Sequence, residues 1–249
     1  MDPTQRFSNR VDNYVKYRPG YPAELLAYLR ANCGLTPETV VVDVGSGTGK
    51  LTRLFLENGN TVYVVEPNAD MRQAAELVLA DFPGFHSVAA PAEATTLPAN
   101  LAGLVVAGQA FHWFNAPAAV AEFTRILKPG GRVALVWNER DVAVPFHNAY
   151  EQMLTKYALE YRAVDHKQVG AAQLQSLFGA AVTTQIFGYT QEFDFEGLKG
   201  RLLSSSYAPL AGHPHHEPML QELRRIFEAH QRDGKVSFIY QTKVYVIQL

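Results

Sequence analysis

A single cysteine, Cys33, stands in the whole chain of 249 residues, so no intrachain disulfide can staple the fold, and a reducing compartment, the cytoplasm, is the expectation. Long apolar runs are missing too. The longest, from Leu101 to Phe114, falls short of a membrane span and is broken by Gln109 and His112, while the opening MDPTQRFSNR lacks the apolar stretch of a secretory signal. A membrane is therefore not an expected partner. Nor does one charge prevail: 22 Lys+Arg against 24 Asp+Glu give a formal charge of −2, which offers no basic field for nucleic acid. Repeats, low-complexity tracts and Ser/Gly linkers are absent, so one domain over residues 1–249 is expected. What remains is an ordinary globular balance, 47% hydrophobic and 18% charged, enough for a sizeable core.

From residue 39 to 137, short β-branched runs alternate with helical segments, which is how parallel βαβ units read. Strands are expected at Thr39–Val44, Thr61–Glu66, Phe85–Ala90, Leu104–Gly108 and Arg132–Trp137, all buried on both faces. Helices are expected between them. Lys50–Asn58 stops at Gly59, Asp70–Ala80 carries Met71, Ala74, Ala75 and Val78 at helical spacing, and Pro117–Leu127 is capped by Asn115 and closed by the turn Lys128-Pro-Gly-Gly131. This pattern gives a doubly wound sheet. Around it, Arg18-Pro-Gly-Tyr-Pro22 reads as rigid and irregular and Ala23–Ala31 as a short helix. Further on, Phe146–Tyr161, Gln173–Phe178 and Glu217–Gln231 read as helices and Val182–Phe193 as extended. Val236–Gln248, mostly of period two, suits an antiparallel strand at the sheet edge.

The first strand runs into Val44-Gly-Ser-Gly-Thr-Gly49, with Lys50 opening a helix. Three glycines among small residues let the backbone turn sharply against a ligand whose polar end meets helix N-terminal N–H groups. Only Thr48 separates the second and third glycines, unlike the G-x-G-x-x-G of dinucleotide folds. That spacing disfavours a nicotinamide oxidoreductase. Glu66 closes the second strand, and an acid there, projecting at the topological switch point, can accept hydrogen bonds from both ribose hydroxyls of an adenosine.

VVDVGSGTGKLT at 41–52, VVEP at 64–67, AEATTLP at 92–98, QAFHWF at 109–114 and ILKPGGRVALV at 126–136 resemble the successive motifs of class I S-adenosylmethionine-dependent methyltransferases. YVKYRPGYP at 14–22 and the late VSFIYQTKVY are similar to the type 11 and trans-aconitate methyltransferase-like subset. The resemblance implies a seven-stranded, mostly parallel Rossmann-like sheet with helical cap elements and S-adenosylmethionine as cofactor. Residues 1–31 would be a lid, 36–140 the cofactor-binding core, 141–230 the cap and substrate side, and 235–249 an edge strand. Gly45, Ser46, Gly47 and Gly49 would face or shape the methionine end, with Asp43 supporting that loop or approaching the amino group. Glu66 would hold the ribose, Pro67 and Met71 would pack on the adenine, and Ala92 and Glu93 would meet its amino edge. Gln109 and Ala110 would sit beside the sulfonium. Gly103 departs from the aspartate usual at the start of the fourth strand.

Methyl transfer from a sulfonium is an in-line displacement, so positioning and exclusion of water are the main tasks. A carboxylate acceptor needs no base, whereas a hydroxyl benefits from one, and His112 is the best-placed candidate, set against a structural role in an aromatic wall. Phe111, Trp113 and Phe114 flank it, able to fill a core or to face the sulfonium. Tyr14, Tyr17, Arg18 and Tyr21 form a cluster in which Arg18 could pair with a carboxylate. Arg201, close to Ser204, Ser205, Ser206 and Tyr207, is a second candidate clamp for an acidic substrate. His213, His215, His216 and Glu217 have no metal-ligand spacing, so no metal is expected. The expected partner is a small molecule carrying an oxygen nucleophile such as a carboxylate. The alternative is a non-catalytic nucleoside-binding or regulatory protein of the same fold.

Overall fold

The computed structural model describes residues 11–159, 161 and 170–249. Residues 1–10 of the expected lid, and 160 and 162–169 of the expected cap, lie outside the described residues. The strands are β1 (Val41–Val44), β2 (Val62–Val65), β3 (Phe85–Val88), β4 (Ala102–Gly108), β5 (Leu127–Arg140), β6 (Val182–Phe193) and β7 (Val236–Gln248). They form one sheet in the order β3-β2-β1-β4-β5-β7-β6. The pairs from β3 through β5 are parallel, and β7 runs antiparallel to both β5 and β6. This is the doubly wound sheet that the alternation implies, with the seven, mostly parallel strands that the resemblance implies.

The period of two along each strand sends neighbouring side chains to opposite faces. Val42 and Val44 of β1 join Val105, Val133 and Leu135 in one core under Phe123 of α5 (Ala116–Ile126). Val41 joins Leu104, Val106 and Val136 in a second, under Leu25 and Leu29 of α2 (Ala23–Cys33) and Phe55 of α3 (Lys50–Glu57). Each such aliphatic side chain contributes about 1.5–3 kcal/mol on burial. Both faces of the parallel strands are thereby covered. Asn68 caps α4 (Ala69–Leu79) by accepting from the Met71 N–H at 2.9 Å, and Asn115 caps α5 from Ala118 at 3.5 Å.

A third core is separate. It joins α6 (Pro145–Tyr157), α8 (Phe195–Leu203) and α9 (His216–His230) to the ends of β6 and β7 through Phe146, Tyr150, Leu198, Leu223 and Phe238. The short helices α1 (Val11–Tyr17) and α7 (Ala171–Phe178) complete the layer set. Gly200 of α8 leaves no room for a side chain, because a Cβ there would collide with the Tyr17 ring of α1.

Three expectations need correction. Val236–Gln248 is antiparallel but not the edge strand, for it lies between β5 and β6, and β6 is outermost. Its two neighbours explain why Val244–Ile247 are buried without alternation. Phe85–Val88 is not buried on both faces, since β3 ends the sheet with only β2 beside it. Residues 128–131 are part of β5 instead of a separate turn: pairing with β4 jumps from Leu127 to Arg132 while β4 advances from Ala102 to Leu104, a bulge that absorbs the Pro-Gly-Gly.

Candidate active site

The strand order reverses between β1 and β4, and a cavity of about 260 Å³ opens at the carboxyl ends of these strands, where open α/β sheets place ligands. One wall is the glycine loop. Gly45 and Ser46 donate to the Val65 carbonyl at 2.9 and 3.3 Å, hanging the loop from the end of β2. Gly45 has a φ of 66°, and a Cβ there would lie 2.7 Å from Ala110 and 2.9 Å from Phe114, so glycine is required twice over, by conformation and by space. Gly47, at φ 58°, instead faces open room, its nearest neighbour the Tyr14 hydroxyl 3.9 Å from an added Cβ. Gly49 does not line the cavity: a Cβ there would lie 2.5 Å from Leu79 of α4, so this glycine serves helix packing, which corrects its expected place against the cofactor.

Glu66 is buried just after β2, one strand away from the switch between β1 and β4, yet it reaches the same cavity. Its two carboxylate oxygens accept from the backbone N–H groups of Gly47 and Asn68, each at 2.8 Å. The acid is thereby oriented before any ligand arrives. Burial raises its pKa, opposed by those N–H groups and by Arg72. Asp43 accepts from the Thr52 hydroxyl at 2.6 Å through one oxygen, while its other oxygen, like the Ser46 hydroxyl, is buried with no hydrogen-bond partner among the described residues. Burial pushes Asp43 up to about 7, with the nearby Glu66 adding to the rise and Thr52 opposing it.

Pro67, Met71, Ala92 and Glu93 line the same side, Glu93 also accepting from the Asn115 N–H at 2.7 Å. Gln109 and Ala110 follow β4 into the wall. Gln109 holds a φ of 57°, rare for a non-glycine residue, and is fixed there by its N–H to the Val136 carbonyl at 2.8 Å and its side chain to the Asn138 carbonyl at 3.0 Å. Gly103 lies at the opposite, amino-terminal end of β4, far along the strand from the cavity.

His112, Trp113 and Phe114 line the cavity. Phe111 does not: it is buried and stacked on Phe178 with ring centroids 5.9 Å apart. The indole N–H of Trp137 points to His112 Nδ1 at 3.5 Å. An indole is only a donor, so Nδ1 serves as the acceptor and the neutral ring carries its proton on Nε2. That tautomer suits His112 to donating a hydrogen bond.

Basic groups line the same cavity. Tyr14, Arg18, Tyr21 and Arg201 all line the cavity. Arg18 donates to the Ser204 hydroxyl at 3.1 Å and carbonyl at 3.2 Å, and Arg201, 3% exposed, donates to Tyr240 at 3.1 Å and Ser205 at 3.3 Å. Ser206 and Tyr207, expected beside Arg201, line the cavity with it, whereas sequence reasoning missed Arg140 and Asn138, which line it too. Arg140 ends β5 and could have been suspected only as a cation at the carboxyl end of a strand. Among the described residues no group of His, Cys, Asp and Glu could hold a metal ion. His213, His215 and His216 are engaged with the loop backbone at His215, Tyr157 and Pro209. No helix among the described residues is long and apolar enough to cross a membrane.

Residues 42–135 match the family model described as a methyltransferase domain. The chain is 36% identical over 140 residues to an uncharacterized methyltransferase of Mycobacterium tuberculosis, covering 56% of this chain and 55% of the relative. It is 31% identical over 151 residues to another of Schizosaccharomyces pombe, covering 60% and 59%. The chain thus spans a little over half the length of these curated relatives. Its fold is shared with a candidate type II methyltransferase from Anaeromyxobacter dehalogenans, at a TM-score of 0.68, 21% identity and coverage of 93% of this chain and 97% of that one. A phosphoethanolamine N-methyltransferase of Haemonchus contortus, solved with S-adenosylhomocysteine, gives a TM-score of 0.58 at 13% identity, covering 100% and 58%. Residues 42–135 thus match the methyltransferase-domain model, and the doubly wound sheet that carries them has the Rossmann-like fold of these solved structures.

Proposed function

We propose that this protein transfers a methyl group from S-adenosylmethionine to a small molecule, onto an oxygen nucleophile such as a carboxylate. The observation that carries this reading is that one cavity gathers two sets of charged groups: Asp43 and Glu66 from the ends of β1 and β2, and Arg18 and Arg201 from the flanking segments. A cationic donor with ribose hydroxyls suits the first set, and an anionic acceptor suits the second. The cofactor's fit is supported by the buried oxygens of Asp43 and Ser46 that have no hydrogen-bond partner among the described residues and by the room above Gly47.

Asp43 and Ser46 would receive the amino-acid end, Glu66 the ribose hydroxyls, and Pro67, Met71, Ala92 and Glu93 the adenine. When bound, S-adenosylmethionine supplies an electrophilic methyl carbon on a sulfonium. Gln109, Ala110 and Phe114 would wall the space around that sulfur, and Tyr14, Tyr21 and Trp113 would exclude water from it. Arg18 and Arg201 would orient the acceptor for in-line attack. A carboxylate attacks without losing a proton, which agrees with a His112 whose Nδ1 is already an acceptor. A cytoplasmic, small-molecule setting, without nucleic acid or membrane as partners, is supported by the formal charge of −2 and the lone cysteine.

Calorimetry with S-adenosylmethionine and with NAD tests the cofactor. Binding of the first and not the second is expected, and Gly47→Val, which sets a β-branched side chain at a φ of 58° in the ligand's space, should abolish it in a folded variant. Transfer of labelled methyl only to nitrogen, nucleic acid or protein side chains would refute the acceptor class.

A further inference from the structure

The two edges of the sheet are unlike. β3 closes one side with the four residues Phe85–Val88, while β6 closes the other with the twelve of Val182–Phe193. Proteins blunt an open edge by keeping its strand short, by setting Lys or Pro on it, or by a bulge that turns it aside. β3 uses the first device and β6 uses none of them. The stretch VTTQIFGYTQEF contains no Lys, Arg or Pro, its one charge is Glu192, and it pairs with β7 residue for residue from Val182 to Phe193 without a shift of register. Among the described residues no backbone group of 182–193 bonds to any backbone other than that of β7, and Gln185 is the one side chain that donates to it, reaching the Ile186 carbonyl at 3.3 Å. Ile186 itself is 48% exposed.

Gly188 sits in the middle of this edge. From Thr184 to Glu192 exposure alternates, the even-numbered residues open and the odd-numbered ones half-buried, as Phe187 is against Tyr28 of α2 with ring centroids 5.9 Å apart. An isolated glycine weakens a strand and marks a bulge or a close approach by another backbone or a ligand. There is no bulge, for Gly188 pairs with Gln241 in unbroken register. Its φ lies outside the left-handed region and an added Cβ would meet nothing within 4 Å, so neither conformation nor packing among the described residues asks for glycine. What remains is the approach of a second backbone. Turned on itself about Gly188, the strand is self-complementary: Phe187 falls opposite Tyr189, Gln185 opposite Gln191, Ile186 opposite Thr190 and Thr184 opposite Glu192. An aromatic pair and side-chain hydrogen bonds are cross-strand matches that stabilise a sheet, and the single charge meets a hydroxyl instead of its own copy.

We propose that the outer edge of β6 is a self-association site, at which two copies of this chain pair antiparallel about a two-fold axis at Gly188 and join their sheets into one. The two glycines face each other on the axis, where the absence of side chains lets the backbones close. A second copy suits this edge better than an unrelated partner, because the gap at the centre and the matched side chains on either side are both met by the strand's own sequence. A contact resting on one strand is small, so the pair should separate on dilution. None of residues 182–193 lines the cavity, so this association and the methyltransferase reading stand or fall separately.

The test is sedimentation velocity of the full chain from about 1 to about 200 µM, a span that brackets weak, reversible association. A monomer–dimer equilibrium is expected. Ile186→Lys, which sets on the edge the charge that it lacks, should weaken it tenfold or more, whereas Leu77→Lys, on α4 and 82% exposed, should leave it unchanged. Gly188→Cys has open space for its side chain, and under mild oxidation it should give a disulfide-linked dimer, because residues directly opposite in an antiparallel pair hold their Cα atoms about 4.5–5.5 Å apart, within a disulfide's reach. Thr184→Cys should not, since its two copies would stand about 27 Å apart along the strands. The native Cys33 is buried and competes with neither. The proposal is overturned if the chain stays monomeric across that span, which would leave the edge to a different partner, if the dimer survives Ile186→Lys, or if Gly188→Cys links no better than Thr184→Cys.

Discussion

On the acid side of the cavity Glu66 is held by backbone N–H groups two and nineteen residues away, one in the turn after β2 and one in the glycine loop after the adjacent β1. On the basic side, Arg18 is held by Ser204, 186 residues distant, and Arg201 by Tyr240, 39 residues distant. The acid end is therefore a local device of the backbone, while the basic end is assembled from side chains by the tertiary fold. A ligand-recognition end built from the backbone tolerates change only at its few exposed side-chain atoms. One built from side chains is open to a different specificity with each substitution.

The two ends should come apart under mutation, and the largest effect belongs to the basic one. Arg201→Leu removes a buried, hydrogen-bonded charge whose loss costs about 2–5 kcal/mol in such settings. Acceptor kcat/KM should fall by about 30-fold or more while affinity for S-adenosylmethionine, read by calorimetry, is unchanged. Glu66→Ala should do the reverse, weakening the cofactor by about 1.5–3 kcal/mol, the range for hydrogen bonds to a charged group. A variant at either end that moved both affinities equally would break the comparison.

That contrast also explains how much could be read without coordinates. Asp43, Gly45, Glu66, Met71 and Gln109 lie on or beside strand ends in contiguous motifs, and the structure brings them to one wall. Arg140 has no such local pattern, because what brings it to one cavity with Arg201 is the pairing of β5 with β7 and the packing of α8 against α9. Helix α8 escaped for a related reason: FEGLKGRLL holds two glycines, poor helix formers, and Gly200 is needed only because Tyr17 packs there from residues far away. Gly49 misled in the other direction, its motif position suggesting a ligand where the structure shows Leu79.

A smaller, pH-borne effect sharpens the acid end. Burial holds the Asp43 carboxyl protonated up to about 7 against an ordinary value of 3.8. Across that window the folded, ligand-free protein binds a proton that the unfolded chain releases, so this group makes stability fall as pH rises from the ordinary value to about 7. A cationic amino group placed beside Asp43 favours the ionised form, so cofactor affinity should rise with pH below 7, by at most about tenfold per unit, and level off above. Asp43→Asn should flatten both slopes, as followed by melting temperature and calorimetry.

His147 gives a slighter, opposite trend in the third core. Its Nε2 accepts from the Ile239 N–H at 3.1 Å, and burial lowers its pKa. Neutral in the folded state, it contributes stability above the ordinary histidine value that is lost as pH falls through its lowered folded value. The smallest expected effect is at His112. With a carboxylate acceptor no proton leaves in the transition state, so His112→Ala should cost less than about tenfold in turnover. A loss of about 10² to 10⁴, typical of a general base, together with an inflection in the pH–rate profile near neutrality, would move the acceptor to a hydroxyl.

The place of β7 between β5 and β6 bears on how the molecule is made. A ribosome delivers β1 through β5 in order, each able to pair on emergence with a strand already present, and with them comes the whole acid end. β6 emerges next with nothing beside it, because its one neighbour, β7, is still unmade. Until residues 236–248 arrive, the nascent chain leaves open, besides the lasting outer edge of β3, the edges of β5 and β6 that β7 will cover, of the kind that invites pairing with other chains. The Arg201 brace to Tyr240 waits for the same residues. Translation thus delivers Asp43 and Glu66 with their braces well before the brace of Arg201, and the interval between them is when the open edges are exposed.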